Sequence, residues 1–247
     1  MTRRRWIADE VSGSQAALIG SHAEHLSRVL RARVGQEFDI VAEGEVRRGR
    51  ISSVAEGRVE FELGEAISAA TPLPVTLLLS IFKFDRMEWA IEKCTELGVS
   101  RIVPLIARRT ERHLAPAAPK RLQRWQRIVR EAAEQSRRTS PPEISQPLQL
   151  KEALALPGGT RIVLAETEEE VMLKDAVGRR SEGEIVLAFG PEGGWTADEL
   201  QSFRDAGWTW ASLGSTILRA ETAAIAALAV VRSELMSANS TRPRTAS

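Results

Sequence analysis

The sequence predicts an α/β protein in two parts: a small β-rich N-terminal module, then a larger domain built on a parallel sheet. Three observations carry that expectation. Up to about residue 65, short alternating or β-branched segments are broken by Gly44, Gly49 and Gly57, the pattern of half-buried strands joined by tight turns. From residue 75 the rhythm changes to continuous apolar runs: VTLLLSIF, RIVPLIA, TRIVLAE, EIVLAFG and WTWASLG. Such runs suit strands buried on both faces of a sheet. Helical stretches separate them, as crossover connections between parallel strands require.

Taken in order, RRWIADEV and QAALIG read as short strands. SHAEHLSRVLR opens on Ser21 with Glu24 three positions later, a capping-box pattern that predicts a short helix. EFDIVAE, VRRGRISSVA and RVEFELG then read as strands of a small barrel-like module. AISAATPLP, made of small residues and prolines, reads as a linker and sets the domain boundary after residue 71. The next helix has Asp85 and Glu88 as a capping-type start. Met87, Ala90, Ile91, Cys94 and Leu97 share its inner face, and Gly98 ends it. PKRLQRWQRIVREAAEQSRR reads as a long helix with Leu122, Trp125, Val129 and Ala132 inward. TADELQSFRDAG starts with a second capping box, Thr196 to Glu199. The last helix, ETAAIAALAVVRSELM, is apolar on nearly every side, so something must bury it. The larger domain therefore spans residues 72–238, and residues 239–247 read as a disordered tail.

Composition excludes several classes of function. With 247 residues, 43% apolar and 27% charged, the chain is an ordinary soluble globular protein able to bury a core. No apolar stretch reaches the roughly 18 residues of a membrane span. The basic N-terminus, MTRRRWIADEVSG, has no apolar run behind it and is not a secretion signal. A single cysteine, Cys94, excludes an internal disulfide and fits a reducing cytoplasm. His22, His25, His113 and Cys94 offer no metal-ligand spacing, so no metal is expected. Residues 71–150 carry 14 Lys and Arg against 8 Asp and Glu, and the flanking segments are slightly acidic. A basic middle suits an anionic partner as well as it suits a solvated helix face.

Two strand ends are unusual. AFGPEGGWTADE, Ala188 to Glu199, clusters three glycines immediately after an apolar run, and LGSTILRAETAA, Leu213 to Ala224, leads irregularly into the final helix. Ligands of open parallel sheets bind beyond the carboxyl ends of the strands. A dinucleotide fingerprint would place glycines after the first strand, where KFDRMEW has none, and no Lys-Ser or Lys-Thr completes a P-loop. Glycines let the backbone approach a flat ring, and Leu213, Ile217 and Leu218 can wall it. Each loop taken alone is better explained as a turn or a helix cap than as a site. Two such loops at neighbouring strand ends favour a site.

FGPEGGWT and LGSTILRAETAAIAAL, preceded by DRMEWAIEKCTELGV, closely resemble the RsmE family of S-adenosylmethionine-dependent ribosomal RNA methyltransferases, of the SPOUT class. HLSRVLR and EAAEQSRR are similar to that family's N-terminal and central signatures, so the resemblance spans nearly the whole chain. It implies a trefoil-knotted α/β methyltransferase domain after an N-terminal PUA-like RNA-binding barrel. It also implies a homodimer that methylates N3 of a uridine in 16S rRNA of the small ribosomal subunit. S-adenosyl-L-methionine would be held by Ala165 and Glu166, by Phe189, Gly190, Pro191, Glu192 and Gly193, and by Leu213, Gly214, Ser215, Ile217 and Leu218. Arg219 and Glu221 are the expected catalytic residues, and Arg3, Arg4, Arg5, Arg31 and Arg138 the expected RNA contacts. Arg86 and Glu88 read as structural. The sequence departs from the family twice, with Arg137 where a Gly is usual and Thr216 where a basic residue is usual. A SPOUT enzyme with another RNA target, or a non-catalytic ribosome-assembly factor, shares most of these features.

Overall fold

The computed structural model describes residues 5–67, 73–180 and 183–240. The chain divides into two compact units, Met1–Thr71 with Arg130–Pro141, and Pro72–Val129 with Pro142–Ser247. Arg3 and Arg4 lie outside the described residues, as does nearly all of the expected tail.

The first unit is a mixed six-stranded sheet. Its strands are β1 (Arg5–Ile7), β2 (Glu10–Ser12), β3 (Gln15–Ile19), β4 (Glu37–Ala42), β5 (Glu45–Ala55) and β6 (Arg58–Ile67). They lie in the order β1-β4-β5-β6-β3-β2, with β1 parallel to β4 and every other pair antiparallel. Laid flat, β1 and β2 would stand about 24 Å apart, five strand spacings. Ala8 and Asp9 alone connect them, a reach of about 10 Å. The sheet must therefore curl. The Ala8 amide donates to Val41 O on β4, and the next amide, Asp9, donates to Ala17 O on β3, each at 2.9 Å. Trp6, Leu18, Leu26, Ile40, Ile51 and Phe61 fill the inside of the curl. At Gly49, where β5 shifts register, a Cβ would run into Ile40 Cγ1, so the close approach requires glycine.

Two local expectations fail here for a backbone reason. Helix α1 (Ser21–Glu24) is capped by Gly20 at φ 60°, with no side-chain capping bond. Ser21 is already its first helical residue, too late to act as the cap. The helix then widens into a π-turn, His25–Val29, where the Leu30 amide donates to His25 O at 3.0 Å.

Arg130–Pro141 joins this unit through the end of helix α3 (Leu122–Gln135). Arg130 donates to Ile7 O at 2.8 Å and pairs with Asp9 at 2.8 Å. Fully buried Glu134 accepts from the Ile7 amide at 3.3 Å, and His22 stands between Asp9 (3.7 Å) and Glu134 (3.8 Å). The helix stops with Arg137 in the left-handed region, φ 61°. The Arg137 amide donates to Glu134 O at 3.3 Å and the Arg138 amide to Ala133 O at 2.8 Å. That is a Schellman ending, which normally takes glycine at the left-handed position.

The second unit is a parallel sheet of β7 (Val75–Ser80), β8 (Arg101–Ile106), β9 (Glu143–Ile144), β10 (Leu148–Gln149), β11 (Thr160–Leu164), β12 (Ile185–Phe189) and β13 (Thr209–Ala211). The order is β10-β8-β7-β12-β11-β13, with β9 also on β8. All five apolar runs become strands, and β7 and β12 are buried along their whole length. β9 and β10 are two residues each, too short to leave a periodic signal. Side chains of β7 alternate, Leu77 and Leu79 to one face and Leu78 to the other.

The first face is covered by α2 (Phe84–Glu96), the start of α3, α5 (Leu173–Gly178) and α7 (Ala220–Ser240). The second is covered by α4 (Leu150–Leu154) and α6 (Ala197–Asp205). On α2, Met87, Ala90, Ile91 and Cys94 point inward as expected. The helix nevertheless begins at Phe84 without a side-chain cap, so Asp85 and Glu88 are not its caps. Glu88 instead accepts from Arg124 Nε with both oxygens, at 2.7 and 2.8 Å. Ala224, Ala227, Leu228 and Val231 of α7 are buried, with α2 and α5 packed against that helix. Much of its apolar surface is thus covered within one chain. No helix among the described residues is long and apolar enough to cross a membrane.

Candidate functional site

The carboxyl ends of β12, β11 and β13, side by side in the sheet, open into one cavity of about 560 Å³. Leu164, Ala165, Phe189 and Ala211 form its floor where the strands end. Gly190, Gly193, Gly194 and Trp195 make one wall, and Ser212 to Leu218 the other. Glu166, Thr167, Glu168, Glu169, Met172 and Arg109 complete it. The two glycine-bearing loops are therefore not on adjacent strands. β11 runs between them, and its own extension closes the gap.

The first wall is built by Trp195. Its Nε1 donates to Leu164 O at 3.0 Å, which lays the indole across the ends of β12 and β11. A Cβ at Gly190 would meet that ring at 3.3 Å, a tight contact, so glycine is favoured there by close approach rather than by an unusual φ. The capping box of α6 forms as expected: the Glu199 amide donates to Thr196 Oγ1 and the Thr196 amide to Glu199 Oε2. Buried Glu199 also accepts the Arg108 amide at 2.8 Å, which ties the loop after β8 to this wall. Beside it, Arg109 Nη1 donates to Gly193 O at 2.8 Å and to Trp195 O at 3.2 Å. Nothing in ARRTERH marks Arg109 in advance, because its partners lie more than 80 residues away.

The second wall is an open loop. Gly214, at φ 122°, donates its amide to Ser212 Oγ at 3.1 Å. The next four amides, Ser215 to Leu218, have no protein acceptor among the described residues. Ile217 is an apolar side chain that is 82% exposed. Thr216 lines the cavity, so this loop brings no cation to it.

Ten of the twelve expected cofactor residues line the cavity: Ala165, Glu166, Phe189, Gly190, Gly193, Leu213, Gly214, Ser215, Ile217 and Leu218. Pro191 and Glu192 do not. Pro191 is buried in the turn, and Glu192 faces outward to Arg86 at 3.1 Å. Arg219 and Glu221 also lie off the cavity lining. Arg219 is exposed, whereas Glu221 is 5% exposed, with Oε1 3.9 Å from Arg86 Nε. Arg86 therefore joins both loops, a link its place in the sequence does not reveal.

Among the expected RNA contacts, Arg31 is exposed at φ 51°. Arg5 donates to Arg137 O. Arg138 is not an open surface cation: it is half-buried, and burial pulls its guanidinium down to about 10. Its place directly after the left-handed Arg137 carries it inward. Buried Cys94 has its thiol pushed up to about 12 by desolvation and is unsuited to nucleophilic work. Among the described residues, no group of His, Cys, Asp and Glu is placed to hold a metal.

Residues 69–232 match the model of the RNA methyltransferase domain family. The ribosomal RNA small subunit methyltransferase E of Synechocystis is 38% identical over 235 residues, 93% of this chain and 76% of that protein. The crystal structure of the enzyme of the same name from Neisseria gonorrhoeae, bound to S-adenosyl methionine, has a TM-score of 0.84 at 33% identity. That match covers 94% of this chain and 98% of the other. A putative methyltransferase from Legionella pneumophila, solved with S-adenosylmethionine, has a TM-score of 0.83 at 27% identity, again over 94% and 98%. On a family match to residues 69–232, about two thirds of its length, and on relatives that align with 93% and 94% of it, the chain belongs to the RNA methyltransferase family, among the ribosomal RNA small subunit methyltransferase E proteins.

Proposed function

We propose that this protein is an S-adenosylmethionine-dependent methyltransferase that acts on N3 of a uridine in 16S rRNA, in the cytoplasm and as a homodimer. The observation that carries the reading is the cavity at the ends of β12, β11 and β13. Its residues fit the cofactor. About 560 Å³ is within the usual range for a small-molecule site. Four successive amides on the second wall, with no protein acceptor among the described residues, offer donors to the acceptor nitrogens of an adenine. Trp195, Phe189 and the exposed Ile217 offer apolar faces to the ring. Glu166, Glu168 and Glu169 line the cavity and would complement the positive charge of a sulfonium and an ammonium.

When bound, S-adenosylmethionine supplies an electrophilic methyl group, which leaves the protein mainly a positioning task. Uracil N3 carries a weakly acidic proton that must leave before the nitrogen can act as nucleophile. Glu221, in the first turn of α7, receives that proton, and exposed Arg219 steadies the developing negative charge on the base. The target uracil must be unstacked, because its N3 faces its Watson–Crick partner. In this reading the curled first unit is a PUA-like RNA-binding barrel. Arg3, Arg4, Arg5 and Arg31 hold phosphate there, and half-buried Arg138 supports the fold. The second unit is the knotted SPOUT domain, an exception to the usual un-knotted topology. The partly exposed remainder of α7 meets a second copy of the chain.

Mass spectrometry of nucleosides from small-subunit rRNA, with and without the gene, tests the product. Loss of 3-methyluridine on deletion supports the reading. Loss of a different methylated nucleoside assigns another RNA target. No change, together with no calorimetric binding of S-adenosylmethionine, leaves a non-catalytic assembly factor.

A further inference from the structure

We propose that Arg86 is a positioning residue for methyl transfer: it holds the Glu221 carboxylate so that Oε2 faces the imide N–H of the target pyrimidine. The proposal rests on the reading that Glu221 receives the N3 proton. Its basis is a three-residue cluster outside the cavity. Arg86, in the first turn of α2, pairs with Glu192 at 3.1 Å, and its Nε lies 3.9 Å from Glu221 Oε1. Glu221 has a side chain only 6% exposed, and its Oε2 is buried with no hydrogen-bond partner among the described residues. Leaving a buried carboxylate oxygen unpartnered is costly, so a donor brought by a ligand would be well received there.

The position suits a substrate base. Glu192 stands between cavity residues Gly190 and Gly193, and Glu221 directly follows cavity residue Ala220. The cluster therefore borders the cavity on the outside of both loops. Its charge selects the ligand class. Two carboxylates share one guanidinium, so the cluster repels phosphate and accepts a neutral N–H donor such as the uracil imide. Without Arg86 the two carboxylates would lose the cation they share, and Glu221 the ion pair that orients it. The N3 proton passes to the Glu221 carboxylate and later to solvent. The N3 lone pair forms the N–C bond as the C–S bond breaks, and that electron pair stays on sulfur.

A double-mutant cycle tests the proposal, because a residue that acts through Glu221 has no effect once Glu221 cannot take a proton. Arg86→Met, Arg86→Lys, Glu221→Gln and the Met/Gln double variant are assayed for kcat on small subunits, and for S-adenosylmethionine Kd by calorimetry. Arg86→Met is expected to lower kcat by roughly 10- to 100-fold, within the span of acid–base contributions. Its Kd should stay within about twofold, and Arg86→Lys should recover part of kcat. The double variant should be no slower than Glu221→Gln. Additive losses, an Arg86→Met kcat at the wild-type level, or a tenfold weaker Kd each overturn the proposal, the last by assigning Arg86 to the cofactor loop through Glu192. Wild-type kcat in Glu221→Gln overturns the underlying proton role instead. Should Arg86→Met fail to fold, the cycle is run with Arg86→Lys and judged by the same arithmetic.

Discussion

Replacing Arg137 by glycine should stabilise the protein. Arg137 ends α3 at φ 61°, in the left-handed region, and the Schellman bonds from its own amide and that of Arg138 lock it there. An L-residue in that region pays roughly 1–2 kcal/mol for the contact between Cβ and carbonyl. Glycine avoids that contact but gives back about 0.4–1 kcal/mol through a more flexible unfolded chain. The net gain is therefore roughly 0.5–1 kcal/mol. The bond from Arg5 to Arg137 O is made to the main chain and survives the change. Thermal unfolding should rise by roughly 2–4 °C per kcal/mol if the chain melts as one, and by roughly twice that if the first unit melts alone. Arg137→Ala is the control, because it removes the side chain and keeps the Cβ. Alanine should give no gain. If alanine stabilises as much as glycine, the cost lies in the arginine side chain and the backbone argument is wrong. If glycine destabilises, side-chain contacts of Arg137 outweigh the strain.

Gly193→Val should weaken S-adenosylmethionine binding in a folded protein. Its Cβ would press on Arg109 Cβ at 3.3 Å and loosen bonds to Gly193 O and Trp195 O worth roughly 1–3 kcal/mol, or about 5- to 150-fold in Kd. Calorimetry showing unchanged affinity would place the cofactor elsewhere. Arg219→Ala protein should bind cofactor yet fail to restore the reverse-transcription stop at the modified uridine in a deletion strain; restoration at normal rate removes Arg219 from the chemistry. Changing Arg3, Arg4 and Arg5 together to Ala should weaken rRNA binding and flatten its salt dependence as fewer counterions are released. Filter binding across a salt series reads both, and wild-type values would make these arginines solubilising surface. Sedimentation at micromolar concentration should give about twice the 27.2 kDa chain mass, and an active monomer would exclude the dimer.

The sequence by itself determined the elements whose signal is local. Apolar runs long enough to be read became β7, β8, β11, β12 and β13, because a strand buried on both faces has no polar position to interrupt it. The Thr196–Glu199 capping box formed because both partners lie within one turn. The glycine loops marked the cavity because close approach to Trp195 and a left-handed Gly214 leave few other choices. Tertiary structure decided what depends on distant partners. Ser21 and Glu24 match a capping box, but Gly20 takes the cap. Glu88 turns to Arg124. Arg138, read as a surface cation, is drawn inward by the turn at Arg137. Arg109 and Arg86 became parts of the site only when the sheet order carried β7 and β8 to the same end as β12. A long side chain's role follows from which charges and carbonyls it can reach, and for these arginines those lie 84 to 135 residues away in the chain.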